Sequence, residues 1–311
     1  MHVAVAHYPA SAGHATGMLA VARELEARGA RVSPAGGGSG GRFADRLGYD
    51  EAVPTRVDFI GDYRNGGGLA DVLTGSLPDS ARRVRDVYRW LRRENPDALV
   101  TDDAFAAMAA PMARVPLYVC THSAPGLYDD PVERAGAWTR TAYQVAAARD
   151  FLFPAVWPPG DADPMGVSRV PPLALDADAP AVGDPDVVMV PSTYSDELDA
   201  VADGLRENGR RVTVVGGADW EPVASLLPTL RAANLVVCPD YSTVMGAAVA
   251  GTPTLIYPCT SEQRGVARLA ARATGFRTVT SPDEVVAAAA DPPDPPAFEN
   301  GAGVVADAVL S

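Results

Sequence analysis

Several apolar runs in this chain end in loops that carry histidine, hydroxyl, carboxylate and amide side chains. The first such loop is Ser11-Ala12-Gly13-His14-Ala15-Thr16-Gly17, just after the run Val3–Ala6. An imidazole titrates near neutrality, so His14 could take the proton of a hydroxyl as a general base, or it could simply cap the helix that follows. Gly13 would let main chain come close to a ligand. Thr16 lies in the same loop, and the start of the helix that follows offers free N–H groups to an anion. His122 follows the run ending at Cys120 and belongs at the rim of the same crevice, either touching an acceptor or solvated in its loop.

The second half repeats the arrangement. Pro191-Ser192-Thr193-Tyr194 follows an apolar run and could touch a phosphate. Tyr241-Ser242-Thr243, after Cys238-Pro239-Asp240, opens a helix whose amides and hydroxyls suit a phosphate, with capping by Ser242 or Thr243 as the plain alternative. In Cys259-Thr260-Ser261-Glu262-Gln263 a carboxylate and an amide could hold sugar hydroxyls, or Ser261 could cap and Glu262 favour the first turn. Asp161-Ala162-Asp163 and Asp176-Ala177-Asp178 have a metal-binding spacing. In a chain so rich in Asp and Ala this reads as coincidence, so no metal site is expected.

These loops need a frame. Short apolar runs alternate with segments of helical periodicity: Met18, Val21, Ala22 and Leu25, then about 79–93, 105–112 and 132–148. Gly36–Gly41 reads as a flexible loop. After an Asp/Ala/Pro-rich stretch at 175–185 the alternation restarts, with a helix at about 196–206 opened by Ser195. The expectation is an α/β protein of two Rossmann-like, doubly wound parallel sheets: residues 1–174, a linker at 175–185, and residues 186–311. Ligands bind beyond the carboxyl ends of such strands, which places the working site in a cleft between the halves.

A length of 311 residues suits two cores of about 150 each. The net charge is −13, and all 26 basic residues are Arg. Without a basic stripe, nucleic acid is excluded as a partner. Such acidity fits a halophilic, archaeal source, where salt screens self-repulsion, and Arg and Ala usage also fits a GC-rich genome. No apolar run approaches the roughly 18–20 residues needed to span a bilayer. The N-terminus has no basic leader, and Cys120, Cys238 and Cys259 form no CxxC pair, so a reducing, cytoplasmic location is expected. Peripheral membrane contact stays open, although anionic lipid would repel an acidic surface.

Gly13-His14-Ala15-Thr16 with Arg28-Gly29, Pro96-Asp97-Ala98-Leu99-Val100-Thr101-Asp102, Tyr241-Ser242-Thr243-Val244 with Ala250-Gly251-Thr252-Pro253, and Pro258 with Glu262-Gln263 together resemble the GT-B glycosyltransferases. The likeness is to the family-28 type, which includes the peptidoglycan N-acetylglucosaminyltransferase and archaeal relatives. The resemblance implies transfer of a sugar, with inversion, from a nucleotide-diphosphate sugar such as a UDP-sugar to an acceptor hydroxyl, with no metal or cofactor. The acceptor would be a glycan, a lipid or a small molecule. His14 would be the base, with Gly13, Thr16 and His122 on the acceptor side. Ser192, Thr193, Tyr241, Ser242, Thr243, Glu262 and Gln263 would hold the donor. Gly246 stands where the family has a ribose-binding Glu, Val266 where it has an Asn, and Ser11 where it has a first Gly. A nucleotide-sugar hydrolase or 2-epimerase of the same fold, and a non-catalytic binding relative, are the other readings.

Overall fold

The computed structural model describes residues 1–9, 11–57, 77–192, 198–216 and 223–311. The first sheet has six strands in the order β2-β1-β3-β4-β5-β6. They are β1 His2–Ala6, β2 Arg31–Ala35, β3 Ala98–Thr101, β4 Leu117–Cys120, β5 Asp150–Pro154 and β6 Ser168–Val170. The second has five in the order β11-β10-β9-β7-β8, namely β7 Val187–Met189, β8 Val212–Val214, β9 Leu235–Cys238, β10 Thr254–Ile256 and β11 Phe276–Thr278. Every pairing is parallel. β3, β4 and β9 are buried along their whole length, so they read in sequence as unbroken apolar runs.

Helices cover both faces: α1 Ala12–Ala27, α2 Gly41–Arg46, α3 Leu77–Glu94, α4 Ala104–Ala113 and α5 Pro131–Ala147 on the first sheet. On the second lie α6 Leu198–Glu207, α7 Leu227–Ala232, α8 Tyr241–Ala250, α9 Ser261–Ala270 and α10 Pro282–Ala288, and α11 Ala302–Leu310 closes the chain. One apolar cluster joins α3 and α4 under the first sheet to Val236, Val244, Met245 and Val266 of the second, so the two halves share a core. α11 crosses back: Ala302, Val305, Ala306 and Val309 pack with Met18, Val21 and Leu25 of α1. The expected second half, 186–311, therefore gives its last helix to the layer of the first.

Residues 175–185 carry no element but are fastened down. Ser225 Oγ donates to Leu175 O at 2.6 Å, and Val182 N–H donates to Thr229 Oγ1 at 2.9 Å. The glycines at 36–41, expected to be loose, are tightly packed instead. Gly36, Gly37 and Gly40 are buried, and a Cβ on Gly36 would fall 2.2 Å from His7 Nε2.

In each sheet the chain begins in the middle and the strand order reverses, between β1 and β3 and between β7 and β9. Loops leaving those strands diverge and open a crevice. The two crevices face each other, and their edges touch at a pair of glycines. A Cβ on Gly13, in the first turn of α1, would lie 2.3 Å from Ser242 Oγ, in the first turn of α8. One on Gly265 of α9 would lie 1.9 Å from the carbonyl of Leu127. Only hydrogen at these two positions permits so close an approach between the halves.

Candidate active site in the cleft

β1 and β3 are neighbours, paired from Val3↔Ala98 to Ala6↔Thr101, so the residues just past them meet at the first crevice. His14, on α1 after β1, places Nδ1 2.6 Å from Oδ2 of Asp102, just past β3. A carboxylate can only accept, so Nδ1 carries the proton and Nε2 is left for the cavity. The other oxygen of Asp102 accepts from Tyr8 N–H at 2.9 Å, and the Tyr8 ring stands edge-on to His14 at 5.4 Å between centroids. Asp102 is 8% exposed and His14 28%. Burial alone would lower the pKa of His14. The charge of Asp102 and its hydrogen bond outweigh that and raise it above 6.5.

A buried ion pair lies behind this dyad. Arg83, on α3, donates from Nε to Asp103 Oδ2 at 2.8 Å, from Nη1 to Thr55 O at 3.0 Å and from Nη2 to His7 O at 3.2 Å. Asp103 also accepts from Phe105 N–H, capping α4. Removing either member of such a pair would strand a buried charge, so the network fixes the backbone just before Tyr8 and just after Asp102.

The opposite wall comes from the second sheet. α8 is capped by Asp240, which accepts from Thr243 N–H at 3.2 Å and from Ser242 Oγ at 3.0 Å. The capping expected of Ser242 or Thr243 is thus done by Asp240, which occupies the N-cap position itself. Tyr241 donates its hydroxyl to Pro154 O at 2.8 Å, across the cleft, so that hydroxyl is already engaged.

α9 opens with a capping box in which Thr260, not Ser261, is the cap. Thr260 Oγ1 accepts from Gln263 N–H, while Gln263 Oε1 accepts from the N–H groups of Thr260 and Cys259. Gln263 keeps only its NH₂ for a ligand. Glu262 projects toward the first half and meets His122, with Nε2 2.9 Å from Oε1. The His122 ring lies flat on Tyr241, with centroids 3.6 Å apart and planes 9° apart. Burial would raise the pKa of Glu262. The bond from His122 and nearby positive charge overcome that and hold it down at about 2.

Two adjoining cavities fill the space between the walls. One of about 410 Å³ holds His14, Asp102, His122, Tyr241, Glu262 and Gln263. The other, of about 650 Å³, runs along the second sheet past Val190, Gly216, Leu226, Thr243 and Gly246. Gly13, Thr16, Ser192 and Ser242 border both. Thr193, and the helix start expected at 195–196, lie outside the described residues. Gly13 lines both cavities, and on its other side a Cβ would meet Ser242 Oγ at 2.3 Å. Thr16 donates its hydroxyl to Gly13 O at 3.1 Å.

Asp163 is engaged by Arg169, Trp157 Nε1 and Gly160 N–H, and Asp176 by Arg231. Among the described residues no group of three His, Cys, Asp or Glu could hold a metal ion. Asp102, Tyr8, Asp240 and Arg56 are cleft residues that the loop motifs did not single out. Asp102 closes the run Pro96–Asp102, and that run was its signal.

No protein-family model matches the chain, and no curated protein matches it either. Solved structures do. SsfS6, a glycosyltransferase of Streptomyces sp. SF2575, matches at 15% identity over 100% of both chains with a TM-score of 0.66, and its complex with thymidine diphosphate gives 0.67. The spinosyn rhamnosyltransferase SpnG matches at 17% identity over 99% of this chain and 95% of that one, with a TM-score of 0.64. SnogD, a glycosyltransferase from Streptomyces nogalater, matches at 15% identity over 100% and 99%, with a TM-score of 0.62.

The fold is GT-B. In a GT-B protein the two switch-point crevices face one another, and here His14 with Asp102 stands at one of them and Ser192 with Asp240 at the other.

Proposed function

We propose that this chain is a glycosyltransferase that moves a sugar from a nucleoside-diphosphate sugar to an acceptor hydroxyl with inversion at the anomeric carbon. The His14–Asp102 pair, opening on a cavity bounded by both sheets, carries the reading. The nucleoside lies in the larger cavity along α8, and the sugar in the smaller one beside Glu262 and the amide NH₂ of Gln263. The acceptor enters from the first half. Its hydroxyl proton passes to His14 Nε2 as the oxygen attacks the anomeric carbon. The bond from that carbon to the diphosphate oxygen breaks, and the diphosphate leaves with the electron pair. Asp102 holds the imidazole in the accepting tautomer and stabilises the imidazolium that forms.

The match to SsfS6 and SpnG structures complexed with thymidine diphosphate supports trying TDP-sugars beside UDP-sugars. SpnG was also solved with spinosyn aglycone, which supports a small-molecule acceptor ahead of a glycan or lipid. No described helix is long and apolar enough to cross a membrane. The test is His14→Ala. A positioned base contributes about 10²–10⁴-fold to rate, so turnover should fall by that factor while nucleoside-diphosphate affinity holds. Full activity in the variant would remove His14 from the mechanism.

A further inference from the structure

The described lining of the two cavities contains the carboxylates of Asp102, Asp240 and Glu262 but a single permanent cation, Arg56. Arg56 borders both cavities, so it stands where they join. The two residues flanking it are anchored. Thr55 donates from Oγ1 and N–H to Asp86 Oδ2 at 2.6 and 3.3 Å, and its carbonyl accepts from Arg83. Val57 is 2% exposed, and its carbonyl accepts from Tyr8 Oη at 3.2 Å. With both neighbours turned inward, the side chain between them is presented to the cleft. Among the described residues no carboxylate pairs with its guanidinium.

A ligand with a nucleoside in one cavity and a sugar in the other must lay its diphosphate across the junction. That group is multiply charged, and the protein around it carries −13. Asp240 at the same junction adds to the repulsion, although its Oδ1 is engaged by Thr243 N–H and Ser242 Oγ. A planar guanidinium offers the paired donors that match phosphate oxygens. We infer that Arg56, from the first half of the chain, binds the diphosphate of a donor whose nucleoside is held by the second half. Its charge would stabilise the leaving group, and the bond would tie the two halves together only while a diphosphate is bound. This inference rests on the transferase reading proposed above.

Titration calorimetry on the full chain, Arg56→Met and Arg56→Lys, with TDP, UDP and the unphosphorylated nucleosides thymidine and uridine, tests it. Methionine keeps much of the apolar stem and removes the charge. Arg56→Met should weaken diphosphate binding by about 10- to 100-fold, the range for a charged hydrogen bond, and leave the nucleosides unchanged. Arg56→Lys should recover part of the loss. Equal diphosphate affinity in parent and Arg56→Met overturns the inference. So does an equal loss of diphosphate and nucleoside, which would mean the cavity itself had changed. A parent that binds no nucleoside diphosphate overturns the transferase reading, and this inference with it.

Discussion

Replacing Asp102 by Asn keeps the shape of the side chain and removes its charge. In Asp102→Asn the amide oxygen would go on accepting from Tyr8 N–H, at 2.9 Å in the parent. The amide NH₂ would then face His14 Nδ1, where the parent has a carboxylate oxygen at 2.6 Å. A donor at that point demands an accepting Nδ1. The neutral ring must then carry its proton on Nε2 and presents a proton, not a lone pair, to the acceptor hydroxyl. A second loss adds to this. A hydrogen bond to a charged group is worth about 1.5–3 kcal/mol, so the imidazolium formed during reaction is destabilised by about 10- to 150-fold. The combined fall in kcat is expected at about 10²–10⁴-fold, with nucleotide affinity unchanged.

The pH profile should move as well. A general base works deprotonated, and Asp102 raises the pKa of His14 above 6.5. The acid limb of kcat/KM in the parent therefore lies above that of an ordinary imidazole, and in Asp102→Asn, where burial is opposed only by the charges of Glu262 and Asp103, it shifts to lower pH. Stability follows the opposite sign. A raised folded pKa means that the His14–Asp102 pair contributes fully below the unfolded value and is lost as pH rises through the folded one. Nucleoside-diphosphate release, followed from about pH 5 to about pH 9 in both proteins, measures the rate and the acid limb, and thermal melting over the same range measures the stability. A variant that keeps both the rate and the acid limb of the parent would show that Asp102 does not set the state of His14.

Gly13→Ala should destabilise by about 1–3 kcal/mol, because its Cβ would meet Ser242 Oγ at 2.3 Å. Gly13→Ala with Ser242→Gly should recover most of that, as read by calorimetric melting. Gly246→Glu should tighten TDP about 10-fold if the larger cavity holds the ribose. Its Cβ would lie 3.1 Å from Leu230 Cδ1, so the gain should grow when Leu230→Ala makes room, and weaker binding in both would place the ribose elsewhere. The melting temperature should rise in about 1 M KCl, where the Debye length falls to about 3 Å and the −13 charge is screened; a flat or falling curve would mean self-repulsion is not limiting.

The strands that position the site were legible because they are buried on both faces. Ala98–Thr101 and Leu235–Cys238 stand out as apolar runs with polar loops at their carboxyl ends. β6 and β11 were not legible, since three residues such as Ser168–Val170 show no periodicity. His14 announced itself by type and place. Its partner was marked only as the end of the run Pro96–Asp102, because Asp102 is one of many Asp residues and only the pairing of β1 with β3 brings the two together. Gly36–Gly41 misleads for a similar reason. Glycine allows flexibility in isolation, but here it is what lets the chain pack against His7. The capping residues Asp240 and Thr260 compete locally with Ser242 and Ser261, and an offset of two positions in the first case and one in the second decides which side chain reaches the N3 amide.

The most direct test of the account is acceptor-dependent turnover. The intact protein is incubated with a panel of TDP- and UDP-sugars, with and without hydroxyl-bearing small-molecule acceptors, and free nucleoside diphosphate and glycosylated product are quantified with their anomeric configuration. The account predicts release that requires an acceptor, matched one to one by a product of inverted configuration and abolished together with it in His14→Ala. Release at the same rate without acceptor would make the protein a hydrolase, and no release with any donor would make it a binding protein; either contradicts the account.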